Sequence, residues 1–288
     1  MNSLCIKTNN EDVLEYLKNE FYELNMNDIY FSTNEFKSYK NIIIHYKNTN
    51  EVELFYNKLA TILSYLVIDY YESDIIKNIL HSNYFYFDNI EFFDILNLCY
   101  ENLCDDTDFS FNNRQMILFN IFYNYIKSHH SIIISGFINF RLSSYRKLLE
   151  DLIDFSVNEY IIEREYYEFI SLLKLYINSQ NPLTDIIHII NLDYDIILLD
   201  ENLNIIDIDK KSLNAKYLSD VTFSNNDYVL NTLLNLLPRK IFLHQISNYS
   251  NLEFINTLKL IFDGRLKICT DCNICNLYKN LSVKNKNK

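Results

Sequence analysis

GFINFRLSSYRKLLEDLIDFSVNEYIIEREYYEFISLLKLYINSQNP, residues 136–182, lies between one of only two glycines and one of only two prolines in the chain. Nothing between those brackets breaks a helix. Tyr145, Leu148, Leu152, Phe155, Glu159, Ile162, Tyr166, Phe169, Leu173 and Tyr176 follow one another in steps of three and four, which predicts one continuous buried face. At about 1.5 Å per residue the helix would approach about 60 Å. Glu159 is the one polar member of that line, and Glu163 follows a turn later. Two carboxylates so close need a cation, a proton or an arginine between them. Arg141, Arg146 and Arg164 are the neighbouring cations in sequence. The expectation for Glu159 is a rim carboxylate satisfied by arginine or water, with Glu159, Glu163 and Arg141 as a candidate polar site should the helix do more than pack.

Outward from this stretch the chain reads as α+β. Residues 1–50 predict a small α/β unit: a strand over 3–8, a helix capped by Asn10, and two short strands. Residues 51–181 are mainly helical, with one long central helix. Asp88 and Glu91 form a capping-box pattern, and the acidic run 105–113 reads as a linker. Past Pro182 the period shortens to that of strands. Residues 182–278 predict a C-terminal α/β module of βββαβαβ order, an antiparallel meander followed by parallel strands. Residues 279–288 read as a disordered basic tail.

That element order also occurs in ribonuclease H-like domains, whose metal-dependent nucleases need carboxylates converging from the first and fourth strands and the first helix. Here the first strand offers only Asp185, and the fourth offers none. Nuclease chemistry therefore lacks its ligands. A net charge of −12 argues against nucleic acid as a partner. Lys279, Lys284, Lys286 and Lys288 are too few to reverse that. Two glycines rule out a glycine-lined phosphate cradle. The start shows no basic region ahead of an apolar run, and no uncharged apolar run is long enough to span a bilayer. With six cysteines and no leader pattern, reduced thiols and a cytoplasmic location are expected.

The sharpest motif is Cys269-Thr-Asp-Cys272-Asn-Ile-Cys275. Thiolates at this spacing can converge on one soft metal ion or an iron–sulfur cluster. Ferredoxin-type runs add another cysteine three residues on, where this chain has Lys279. A fourth ligand must come from elsewhere: His244 at the end of a neighbouring strand, Cys5, or a partner chain. Zinc on three cysteines and a histidine is chemically sound, and a redox-active cluster protein is the other metal reading. The plain reading is three thiols in a loop. His129 and His130 read as a helix end, and His45 and His188 as ordinary strand residues.

The central stretch resembles the YtxC-like family, which is linked to sporulation in endospore-forming bacteria. The resemblance rests on Gly136-Phe137-Ile138, Phe140-Arg141-Leu142, Tyr145, Glu159-Tyr160, Glu163, Glu165-Tyr166, Glu168-Phe169-Ile170, Leu172-Leu173, Tyr176 and Gln180. It extends to Leu237-Pro238-Arg239-Lys240-Ile241, His244 and the three cysteines. Ser143-Ser144 departs from the more charged residues usual at that point. The resemblance implies a role in sporulation and no reaction, cofactor or catalytic residue; the expectation for the chain is a binding or regulatory protein with a protein partner rather than an enzyme.

Overall fold

A computed structural model describes residues 2–24, 29–36, 39–46, 52–105, 108–192, 196–208, 224–245 and 252–285. The chain divides into two compact units, Met1–Ile162 and Glu163–Lys288. The division falls inside the central helix, not at Pro182.

The first unit begins with strand β1 (Asn2–Thr8), helix α1 (Glu11–Glu23), β2 (Ile29–Phe36) and β3 (Tyr39–Tyr46). Asn10 caps α1 by accepting from the N–H groups of Asp12 and Val13. Four helices follow: α2 (Val52–Tyr70), α3 (Glu72–Asn83), α4 (Asn89–Cys104) and α5 (Phe111–Ser128). Asp88 and Glu91 close the expected capping box on α4. The presumed linker is shorter than expected, because α5 already starts at Phe111. Strand β4 (Ser131–Ile133) and helix α6 (Ile134–Arg141) then precede the long helix. β4 was not foreseen: three residues are too few to display a period. It adds parallel to β1 and completes a sheet of order β2-β3-β1-β4. Apolar residues of these elements form one continuous core.

Three polar side chains buried in that core are linked to one another. Glu72 on α3 is buried and ion-paired with Arg114 on α5, and accepts a second bond from the Tyr145 hydroxyl. Arg114 also donates through Nε to the Phe109 carbonyl at 2.9 Å and through Nη2 to the Leu103 carbonyl at 3.3 Å. Burial and the Glu72 carboxylate together hold the Tyr145 phenol far above its ordinary pKa, so it stays a donor.

Helix α7 (Ser143–Ser179) is continuous, as expected, but its buried face is not the predicted line. Tyr145, Leu149, Leu152, Ile153 and Val157 enter the first unit's core. Ile170 and Ile177 enter the second's, with Leu173 packed against it. Phe155, Ile162, Phe169 and Tyr176 are exposed. The predicted line averages about 3.4 residues per step, so it lags about 140° behind a helix of 3.6 residues per turn over its length. Glu159 therefore interrupts no buried stripe. The polar residue on the buried face is Ser156, whose hydroxyl donates to the Leu152 carbonyl at 3.0 Å and accepts from Asn102 at 3.1 Å.

The second unit continues with β5 (Thr184–Asn191), β6 (Ile196–Leu199), β7 (Ile205–Ile206), α8 (Asn225–Leu236), β8 (Pro238–Gln245), α9 (Leu252–Phe262), β9 (Leu266–Cys269) and α10 (Asn273–Asn285). The sheet order is β7-β6-β5-β8-β9, with an antiparallel meander and parallel pairings of β8 to β5 and β9. Ser224 and Asp227 cap α8 reciprocally. Leu237 leaves that helix in the left-handed region, at φ 40°, and Pro238 prevents its continuation. The expected disordered tail is corrected: α10 runs through Asn285, because a helix begun at Asn273 meets neither Gly nor Pro, and the remaining residues 286–288 lie outside the described ones.

Replacing Arg114 by Leu leaves Glu72 buried without its cation and should cost about 3–5 kcal/mol in urea unfolding. The corrected helix face is tested by Leu149→Ala, expected to cost about 2–5 kcal/mol, against Phe169→Ala, expected to cost well under about half that. Equal losses would restore the predicted line.

Candidate metal centre

The C-terminal unit brings His244, Cys269, Cys272 and Cys275 together, with one donor atom from each lying within 4.8 Å of all the others. Their positions follow from strand register. β8 and β9 are parallel, and His244 is the direct partner of Cys269. Both residues stand at the carboxyl ends of their strands. Paired residues on neighbouring strands project to the same face, so two donors are placed side by side by backbone pairing. The chain then turns, and Cys272 accepts into its carbonyl the N–H of Asn276 at 2.9 Å as α10 starts. Cys275 lies in the first turn of α10, fully buried. Its N–H is directed at the Cys272 sulfur, 3.5 Å away. Lys279, where a ferredoxin-type run has its next cysteine, instead donates to the Thr270 carbonyl at 3.1 Å.

The distances fit one ion. Cys272 Sγ lies 3.6 Å from Cys275 Sγ, and Cys275 Sγ lies 3.9 Å from Cys269 Sγ. His244 Nδ1 lies 3.3 Å from Cys275 Sγ and 3.4 Å from Cys272 Sγ. Zinc–sulfur bonds of about 2.3 Å and a zinc–nitrogen bond of about 2.0 Å place tetrahedral ligands about 3.8 Å apart for two sulfurs and about 3.5 Å apart for sulfur and nitrogen. In a four-iron cluster each ligand binds a different iron and must stand farther apart, and in a two-iron cluster the ligands on opposite irons must do so. The observed spacing therefore matches a mononuclear site.

The local electrostatics are uneven. Burial pushes the Cys275 thiol up to about 11, with the neighbouring sulfurs adding to it. Burial also opposes ionisation of Cys272, but bonds from the backbone of Cys275 and Ile274 and from the other two thiols outweigh it, so its thiol titrates below the usual range. Burial lowers the pKa of His244, and neighbouring His188 lowers it further. His188, half-buried on β5, is likewise lowered by burial. His188 Nδ1 and His244 Nε2 are 3.0 Å apart. Both imidazoles are thus kept in the neutral form that metal binding requires.

The remaining sequence candidates stand elsewhere. Cys5 pairs within the first unit's sheet, on β1. Cys99 is buried and Cys104 exposed on α4. Glu159 is exposed and accepts from Asn102 Nδ2 at 2.8 Å, whereas Arg141 ends α6 and lines a shallow cavity with Tyr125, Gly136 and Phe140. Glu163 is exposed. Asp185 is exposed and pairs with Arg239 at 3.4 Å, so it converges with no other carboxylate in a nuclease-like arrangement among the described residues. His129 stacks on Tyr125 at an exposed helix end. Sequence reasoning missed the placement of His188. Its only signal was a histidine in each of two strands, and the register that aligns them cannot be read from spacing.

A family model described as the YtxC-like family matches residues 57–267. That span includes His188 and His244 and stops short of Cys269. The "Uncharacterized protein YtxC" of Bacillus subtilis (strain 168) is 38% identical over 58 residues, which are 20% of this chain and 21% of that protein. The match thus spans about a fifth of that relative's length. No solved structure matches the chain. Among the described residues, no helix is long and apolar enough to cross a membrane.

Removing any one of the four donors should abolish stoichiometric metal binding. Cys275→Ala and His244→Ala are expected to purify without metal by elemental analysis, whereas Cys99→Ala and Cys104→Ala retain the content of the unaltered protein. Retention of metal by Cys275→Ala would remove that residue from the site.

Proposed function

The chain belongs to the YtxC-like family, and we propose that it is a zinc-stabilised, non-enzymatic binding protein in which His244, Cys269, Cys272 and Cys275 hold one structural ion. The observation that carries this reading is the closed donor set. Catalytic zinc keeps a coordination position for water or substrate, whereas structural zinc is surrounded by four protein ligands. Three sulfurs and a nitrogen, with four of their pairs 3.3, 3.4, 3.6 and 3.9 Å apart and all within 4.8 Å of one another, make up a full set of four protein ligands.

The apolar packing nearby gives the ion a structural task. In edge strand β9, Leu266 is half-buried while Lys267 and Ile268 are exposed. In α10 Cys275 is buried, but Leu277 is exposed. So short a strand, and a helix whose described side chains include only one fully buried residue, gain little from the hydrophobic effect. Bound zinc supplies the missing attachment, since a metal that binds only the folded state stabilises it by its binding free energy. The protein's own contribution is to align His244 with Cys269 and to aim Cys275 inward from the first turn of α10.

The wider role we assign is that of a sporulation protein acting through a protein partner. Family membership supports it. Hydrogen exchange of the full chain with and without a zinc chelator tests the structural role. Chelation should raise exchange at least about tenfold in β9 and α10 while leaving β1–β4 unchanged. Unchanged exchange in α10, or no zinc in the purified protein, would overturn it. The biological setting is tested separately by deleting the gene in an endospore-forming host. Heat-resistant spores should fall and be restored by the unaltered chain but not by Cys275→Ser. Normal spore counts would contradict the sporulation role and leave the zinc reading intact.

A further inference from the structure

His244 has two ring nitrogens, and the structure gives each a separate neighbourhood. Nδ1 faces Cys272 Sγ and Cys275 Sγ at 3.4 and 3.3 Å. Nε2 faces His188 Nδ1 at 3.0 Å. Only one nitrogen of a neutral imidazole carries a proton, and the nitrogen that binds a metal must be bare. If Nδ1 is the ligand, Nε2 carries the hydrogen and donates it. The atom in position to accept is His188 Nδ1.

We propose that His188 is a positioning residue for the metal centre: it accepts the Nε2 hydrogen of His244 and so fixes the tautomer and ring plane that present Nδ1 to the ion. This rests on the zinc reading above. Metal-binding histidines commonly pass their second ring hydrogen to a carboxylate, a carbonyl or water, and such partners sharpen affinity without touching the ion. Here a second imidazole takes that part.

The placement is built into the sheet. β5 and β8 are parallel, with His188 opposite Phe242 and Ile190 opposite His244. His188, Phe242 and His244 therefore share one face, since alternate residues on a strand project the same way. The His188 ring stacks on Phe242, 5.5 Å between centroids, and meets His244 edge to edge, 5.2 Å between centroids. Such a stack restrains the ring that must accept the bond. It also leaves His188 outside the donor set, since the clustered donors are the three sulfurs and His244.

The test is a competition titration of the full-length chain with zinc and a chromophoric chelator. His188→Leu should still bind one zinc but about 10–100-fold more weakly, and His188→Asn, which returns an acceptor oxygen near the Nδ1 position, should recover most of that loss. Equal affinity of His188→Leu and the unaltered chain would overturn the inference while leaving the zinc site standing. Absence of zinc binding by the unaltered chain would instead overturn the zinc reading, and the inference with it. If His188→Leu fails to fold, the imidazole nitrogen NMR spectrum of the unaltered zinc-loaded chain decides. A hydrogen on His244 Nε2 and a bare His188 Nδ1 support the assignment. Metal binding through His244 Nε2 contradicts it.

Discussion

A single strand pairing, β8 beside β9 with His244 directly opposite Cys269, underlies the C-terminal centre. Two donors far apart in sequence become neighbours through the backbone hydrogen bonds of this pairing. Cys272 and Cys275 lie within a few residues of Cys269, so the turn into α10 delivers them at small entropic cost. In the proposed site His244 is the long-range donor, and it would turn a local cysteine loop into a tie between a sheet and the helix that follows. A one-residue slip of β9 would send Cys269 to the opposite face and leave an incomplete set.

The other unit handles its buried polar groups differently. Glu72, Arg114 and Tyr145 form a closed network: the guanidinium reaches a carboxylate and two carbonyls, and the carboxylate receives a cation and a hydroxyl. Burying such a network costs desolvation that its internal bonds offset, and its clearest consequence is to fix how α3, α5 and α7 meet. The metal centre differs because its four donors point at one another and make only weak mutual bonds. Sulfur contacts of 3.3 Å and more are weak compensation for burying Cys275, and an ion among the four donors would satisfy the group.

Much of the fold was legible because local chemistry announces element ends. Asn10 and Asp88 each stand where a side-chain oxygen can take a helix's free N–H groups, and each does so. The β-branched runs after Pro182 gave the meander and the parallel strands. The phase of α7 was not legible: aromatic and aliphatic residues occur around much of its circumference, so several lines of three and four fit equally well. Choosing one that includes Glu159 made an exposed carboxylate look like an anomaly. Of the site, the cysteine spacing and the strand-end position of His244 could be read directly, because both depend on short-range sequence. The part played by His188 could not, because the pairing of β5 with β8 is a tertiary fact.

The account stands on the identity of the shell around the ion. X-ray absorption at the zinc edge of the full-length protein, purified with its metal, measures that shell directly. Three sulfurs at about 2.3 Å and one nitrogen at about 2.0 Å are predicted. A shell dominated by oxygen, or a protein whose metal is iron with a second iron nearby, would contradict it.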